Sequence, residues 1–399
     1  MKDRNCIVCG TPLGEMPLMT LEHMPASAQD IPSEEEIEND KGVTLHLHQC
    51  ETCGLVQFDC QPVAYYKDVI RSGGFTTTMV ELRRSQYRHF IETFHLEGKK
   101  LIEAGCGQGE FLGVLNEFPV MACGIEQRES LVQSAREKGL AVWNQFAEEG
   151  AVLEPEDGSI TGPYDGFLSF NFLEHQPSPV SMLRCLADNL TEAGVGLITV
   201  PSLEYILQYD GYYELIRDHL AYYTFDTLKF AVEEAGFEVL EEEIVNRDTL
   251  SVFVRKTAKP VASETARQGR KPEKIDVSGL IESQTLIGRE LENMTRTLKS
   301  QGKRLALWGA SHQGFTLAAT TEIGRFAEYI IDSAPFKQGK YAPASHLPIV
   351  SPEHYKKDPV EVILIVAPGY TSEIAGAIGE KFGGDVEIMA LKSNHLERI

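Results

Sequence analysis

Apolar residues fall into distinct rhythms along this chain. Between about residue 75 and residue 256, short apolar runs (KKLIEAG, VMACGIE, YDGFLSF, VGLITVP) alternate with segments of helical spacing, which predicts a parallel α/β sheet. EVLEEEIVN and TLSVFVRK then read as a closing antiparallel pair. The next stretch, TAKPVASETARQGRKPEK, is polar and rich in Ala, Lys and Pro, as a linker is. After it, residues 278–300 have helical spacing, and RLALWGA, AEYIID and VEVILIVAP restart the α/β pattern. The N-terminal part differs: it holds two cysteine pairs, an acidic Pro-containing stretch at 33–40 and a strand-like LHLH. No fixed short period repeats. The expected organisation is a cysteine-bearing domain over 1–70, an α/β domain over 71–256, a linker over 257–277 and a second α/β domain over 278–399.

Composition narrows the partners. The chain has 399 residues and a net charge of −22, so nucleic acid and anionic membrane surfaces are excluded as main partners by repulsion. A small anionic ligand remains compatible, because backbone N–H groups can cradle one locally. No apolar run reaches the roughly 18 residues of a membrane span. The start, MKDRNCIVCG, lacks a signal peptide's apolar region, so a cytoplasmic location is expected. The sequence assigns no oligomeric state.

The central motif is LIEAGCGQGEF: an apolar strand with Glu103, then Gly105, Cys106, Gly107 and Gly109, then a helix. Glycine tolerates positive φ and lets the backbone pass close beneath a ligand. The helix start offers free N–H groups to a carboxylate. About twenty residues on, the next strand ends in Glu126, placed to accept both hydroxyls of a ribose. The E-x-G-x-G-x-G spacing differs from that of NAD sites and resembles motif I of class I methyltransferases, which implies bound S-adenosylmethionine. In such enzymes the strand matching YDGFLSF ends beneath the transferred methyl. Asn171 and Phe172 would then line the sulfonium pocket. Glu174-His175 would start the next helix, either with a chemical role or as a pair satisfied by backbone groups.

Cys6-x-x-Cys9 and Cys50-x-x-Cys53 offer four thiolates, the soft closed set of structural zinc. A redox role would need only one pair, in a thioredoxin-like setting. Cys60, Cys106, Cys123 and Cys185 lack such pairing and read as packing residues. WGASHQG is a second strand–turn–helix, with Gly309, Ser311, His312, Gln313 and Gly314, and its next strand ends at Asp332. It suits a diphosphate on the helix start, or a Rossmann-like domain that has lost its ligand. Between the two domains lies a tyrosine-rich segment with Asp218-His219 and Tyr222. It fits a sugar pocket with a carboxylate-held histidine base, or a helix packed through its rings.

Taken together, CIVCG…CETCGLVQF, LIEAGCGQG, RDHLAYYTFDTL and WGASHQG…IIDSAPFKQGKYAPASHLPIVSPE resemble the sugar C-methyltransferases that modify nucleotide-linked deoxysugars. The resemblance covers nearly the whole chain. It implies an N-terminal zinc-binding domain, a class I methyltransferase core and a C-terminal Rossmann-like domain that helps bind the nucleotide sugar. It also puts the acid-His pair, here Asp218-His219, at the site of proton abstraction. This chain departs from the family at two places. Ile216 stands where a tyrosine precedes the histidine by three, with Asp218 in place of Glu. His312-Gln313 replaces Gly-Lys in the second loop, which removes a cation. The expected reaction is methylation of a carbon beside a carbonyl, with His219 removing the α-proton and Tyr222 steadying the enolate. Its rivals are an O- or N-methyltransferase, a non-catalytic nucleotide-binding protein and an NAD(P)-dependent oxidoreductase. Ser311, standing where a G-x-G-x-x-G site needs its second glycine, speaks against the last.

Overall fold

A computed structural model describes residues 4–67, 76–155, 159–257, 271–366, 371–383 and 386–399. By their contacts they group into two units. The first joins Met1–Met16, His48–Leu203 and Leu220–Lys274; the second joins Pro17–Leu47, Glu204–His219 and Ile275–Ile399. The N-terminal 1–70 block therefore gives its cysteine knuckles to the first unit and Pro17–Leu47 to the second. Of the linker expected over 257–277, residues 258–270 lie outside the described residues.

The first unit is built on a seven-stranded sheet. Its spatial order is Phe237–Val245, Thr249–Lys256, Leu190–Pro201, Tyr164–Phe170, Lys100–Ala104, Met121–Glu126, Val142–Asn144. Thr249–Lys256 runs antiparallel to both neighbours, so the expected antiparallel pair is present. The other pairings are parallel. Successive residues feed opposite faces: Leu101, Leu168 and Leu197 enter one apolar cluster, while Ile102, Phe167 and Ile198 enter another. Burial on both faces explains why these strands read as unbroken apolar runs. The first strand in sequence, Lys100–Ala104, lies between the second and the fourth, which opens a crevice at the strands' carboxyl ends.

Two short pairs sit outside this sheet. In the first unit Val56–Phe58 runs antiparallel to Ala221–Tyr222. In the second, Met19–Met24 pairs antiparallel with Val43–Gln49, which contains the LHLH run. The second unit's main sheet has the order Ile349–Val350, Tyr329–Ile331, Leu305–Trp308, Val362–Ile365, Glu387–Lys392, His395–Arg398. It is parallel except for the last hairpin, and again its first strand lies between the second and a later one. The helix expected over 278–300 is Ser278–Ser300, with Leu280, Ile287, Leu291 and Leu298 on its buried side. Asp40 ties the N-terminal insertion into this unit: its Oδ2 accepts the Ala344 N–H at 2.6 Å and meets His346 Nε2 at 2.9 Å. The tyrosine-rich segment is no continuous helix. It forms a short helix, Leu203–Gln208, then a single turn, Tyr212–Glu214, then the strand Ala221–Tyr222. Gly211 between the two helical pieces interrupts any longer run.

Candidate active site

The glycine turn in the first unit has the geometry its composition demands. Gly105, Gly107 and Gly109 have φ of 69°, 59° and 76°. A Cβ on Gly105 would come within 3.0 Å of the Phe172 ring, and one on Gly109 within 2.3 Å of Leu140 Cδ1. At Gly105 and Gly109 the turn is thus a cradle that a side chain would fill. Glu126, at the end of the neighbouring strand, is held rigidly: its Oε2 accepts the Gly107 N–H at 3.1 Å and its Oε1 accepts the Arg128 N–H at 2.9 Å. Glu103 is fully buried on the first strand, and Cys106 is buried in the turn.

The strand Tyr164–Phe170 ends in Asn171, whose φ of 47° is left-handed. Thr199 grips this residue twice: Thr199 Oγ1 donates to Asn171 Oδ1 at 2.9 Å, and the Asn171 N–H donates to the Thr199 carbonyl at 2.8 Å. Phe172 packs over the glycine turn. Glu174 and His175, expected at a helix start, lie in a single 3₁₀ turn, Leu173–His175, and both are buried. Leu220 then ties the tyrosine segment to this turn, because its N–H donates to the Glu174 carbonyl at 2.8 Å. Tyr222 is buried two residues on, edge-on to Phe58 at 5.7 Å between ring centroids. In the second unit the buried Asp218 carboxylate accepts the Ala28 N–H at 2.9 Å. His219 follows it in the chain, half-buried.

The four N-terminal cysteines converge. Their sulfurs all lie within 4.8 Å of one another, with Cys6 to Cys53 at 3.5 Å and Cys9 to Cys50 at 3.4 Å. Each pair sits in the same kind of knuckle, with Gly10 donating to the Cys6 carbonyl and Gly54 to the Cys50 carbonyl, both at 2.9 Å. Contact with Cys50 holds the Cys53 thiol far above its ordinary value and draws Cys9 well below it. Tetrahedral zinc with bonds of about 2.3 Å has sulfur–sulfur edges of roughly 3.8 Å, so the cluster is compatible with that ion. No disulfide joins the eight cysteines; Cys106, Cys123 and Cys185 are buried, and Cys60 is half-buried.

The second glycine turn repeats the design of the first. Gly309 has a φ of 111°, and Ser311 caps the helix His312–Thr320 by accepting the Gly314 N–H at 3.3 Å. Asp332 accepts the Ala310 and Ala334 N–H groups, each at 2.8 Å, just as Glu126 accepts those of Gly107 and Arg128. His312 and Gln313 both turn to Glu214: Nε2 of Gln313 donates to Oε1 at 2.6 Å, and Nε2 of His312 lies 2.9 Å from Oε2. Three residues that the sequence motifs do not single out therefore belong here. Glu214 engages the His312-Gln313 pair. Lys337 brings a cation to the turn, with Nζ 2.7 Å from the Ala310 carbonyl. Arg83, buried in the first unit, donates to Thr199. The IIDSAPFKQG run already contained Lys337, but nothing local marked Glu214 or Arg83.

A seven-stranded sheet with one antiparallel strand, a glycine turn after its first strand and an acid ending its second define a class I methyltransferase. A methyltransferase domain family matches residues 79–242, and a C-methyltransferase C-terminal domain family matches residues 279–386. The chain thus carries a methyltransferase domain followed by a C-methyltransferase C-terminal domain, the make-up of an S-adenosylmethionine-dependent methyltransferase. Among its relatives, C-methyltransferase NovU of Streptomyces niveus is 23% identical over 291 residues, which are 70% of this chain and 68% of its own. The ubiquinone biosynthesis O-methyltransferase of Vibrio campbellii is 25% identical over 97 residues, 24% of this chain and 41% of its own. A solved S-adenosylmethionine-dependent methyltransferase from Aquifex aeolicus has 18% identity and a TM-score of 0.35, covering 46% of this chain and 100% of that one. No helix among the described residues is long and apolar enough to cross a membrane.

Proposed function

We propose that this enzyme methylates a carbon beside the carbonyl of a nucleotide-linked keto-sugar, with His219 as the base. The observation that supports it best is the bond from the Leu220 N–H to the Glu174 carbonyl, 2.8 Å long. It ties the residue after His219 to the turn that ends the strand Tyr164–Phe170, where class I enzymes transfer the methyl. S-adenosylmethionine supplies an electrophilic methyl group when bound. Glu103, Glu126, Phe172 and the turn Gly105, Cys106, Gly107 and Gly109 would hold it, with Glu126 accepting from the ribose, and Asn171 stands at the end of the neighbouring strand. His219, beside the buried carboxylate of Asp218, takes the α-proton. The C–H electron pair moves onto the carbonyl oxygen, which makes the carbon nucleophilic; as the carbonyl re-forms, the carbon would take the methyl, and the electron pair of the broken sulfur–methyl bond would stay on the cofactor's sulfur as a neutral thioether. Tyr222 donates to the developing oxyanion. A base is needed because such a C–H is barely acidic in water, and a positioned one contributes about 10²–10⁴-fold.

Gly309, Ser311, His312, Gln313 and Asp332 take part in binding the substrate in the second unit. Cys6, Cys9, Cys50 and Cys53 hold structural zinc, a closed set with no open position for chemistry.

His219→Asn separates the roles. Solvent-deuterium exchange into the substrate and methyl transfer are measured independently, and both are expected to fall by about 10²-fold or more. Unchanged rates of both would remove the histidine from the mechanism. Product NMR distinguishes a new C–CH₃ from an O- or N-methyl group.

A further inference from the structure

Arg83 is buried on the helix Thr77–Thr93, 2% exposed, beneath the carboxyl ends of the central strands. Its guanidinium lies 3.7 Å from the centre of the Phe170 ring, and Nη1 donates to Gln86 Oε1 at 2.5 Å. Gln86 Nε2 in turn donates to Glu243 Oε1 at 2.6 Å and Ser251 Oγ at 3.1 Å. Burying a guanidinium is costly unless it is stacked and hydrogen-bonded, so this position is built rather than incidental. Its other fork, Nη2, donates to Thr199 Oγ1 at 3.4 Å.

The direction of this bond has a consequence two residues away. A guanidinium has only donors, and a threonine hydroxyl has one proton. With Arg83 donating to Thr199, the hydroxyl proton goes onward to Asn171 Oδ1, 2.9 Å away. Asn171 Oδ1 is thereby fixed as the acceptor facing Thr199, and the amide nitrogen faces the other way. That nitrogen, Nδ2, has no hydrogen-bond partner among the described residues. Asn171 cannot easily swing aside either, because its left-handed backbone is tied to the Thr199 carbonyl.

We infer that Asn171 presents its N–H to the oxyanion that develops on the substrate, and that Arg83 is the positioning residue that turns the amide this way through Thr199. This rests on the reading of the substrate as a carbon acid. A donor suits a growing negative charge and is a poor neighbour for a sulfonium cation, so the amide's orientation decides between the two ligands. Removing one such donor typically costs about 10²–10³-fold in rate.

The test uses the full chain with a nucleoside-diphosphate keto-deoxyhexose as probe, following solvent-deuterium exchange without cofactor, methyl transfer, and S-adenosylmethionine affinity by calorimetry. Asn171→Asp is expected to slow exchange and transfer together by about 10²-fold or more. Thr199→Val, which keeps the shape but drops the hydroxyl, is expected to slow both by about tenfold, with Thr199→Ser restoring them. Cofactor affinity should stay within about twofold in Thr199→Val, which changes no charge and removes no uniform binding. Loss of cofactor affinity with unchanged exchange would mean that the amide serves the cofactor, and would overturn the proposal. Failure of the wild type to exchange any such sugar would instead reject the carbon-acid reading. The amide's orientation is then read by NMR: strong contacts from the Asn171 amide protons to the Thr199 side chain would show the opposite orientation and refute the role given to Arg83.

Discussion

Gly105 concentrates two demands on one residue. Its φ of 69° is left-handed, and a Cβ there would press on the Phe172 ring at 3.0 Å. Gly107 has a similar φ, but its nearest neighbour would be the flexible end of Glu110 at 3.4 Å. Gly105→Ala is therefore expected to displace Phe172 and weaken S-adenosylmethionine binding by about tenfold or more, while costing only about 1–2 kcal/mol of stability. Calorimetric titration beside a melting curve checks both halves, and an unchanged affinity would remove Phe172 from the pocket. The sequence displayed this site because strand, turn and acid lie within 26 residues, Leu101 to Glu126, and each leaves a local trace. Arg83 and Glu214 left none. Arg83 acts on a threonine 116 positions away, and Glu214 meets His312 across 98. Spacing rules describe neighbours on one element, and a lone charged residue on an amphipathic helix reads as solvated until the fold shows it buried.

At the scale of elements, the two cysteine knuckles show how a pattern can be legible while its surroundings are not. The pairs are plain in the sequence, yet 40 residues separate Cys9 from Cys50, and most of that excursion belongs to the other unit. Loop closure grows costly only slowly with length, so the knuckles can meet across the insertion. Insertions that fold with a distant part of the chain defeat any reading of domains as consecutive blocks, which is why the block 1–70 divides in space. The knuckles carry Val8 and Leu55 into the same apolar cluster as Ile102, Leu183 and Tyr223. Metal loss should therefore loosen the methyltransferase unit as well as the N-terminus. Metal analysis is expected to give about one zinc per chain. Cys53→Ser should abolish it and lower the melting temperature by about 5–10 °C, in keeping with a loss of a few kcal/mol. Full metal content in that variant would place the ion elsewhere.

The whole molecule consists of two units, each built on a mostly parallel sheet that buries an ionisable group, and for Cys123 burial outweighs the opposing effects of Tyr164 and Lys100, so that each unit has an alkaline limit. In the first, burial pushes the Cys123 thiol from 9.0 up to about 12. In the second, burial raises the Tyr212 hydroxyl from 10.0 to about 12, against a smaller opposing effect of its bond to Thr320. Below pH 9 both groups are neutral whether the chain is folded or not, so they take nothing from stability. Above it the unfolded chain ionises them while the folded chain cannot. Stability is therefore full below about pH 9 and is lost as pH climbs towards 12. By pH 11 the cost from Cys123 alone is about 2–3 kcal/mol. Melting curves between pH 7 and 11 should decline above pH 9. Cys123→Ala should flatten the decline of the transition that belongs to the methyltransferase unit, and Tyr212→Phe that of the other. The two substitutions act in separate cores, so their effects should add. If Cys123→Ala left the alkaline slope untouched, the thiol would not be the group that limits this unit, and the buried Cys185 thiol, raised to about 11, together with the acidic surface of a chain carrying −22 would account for the decline.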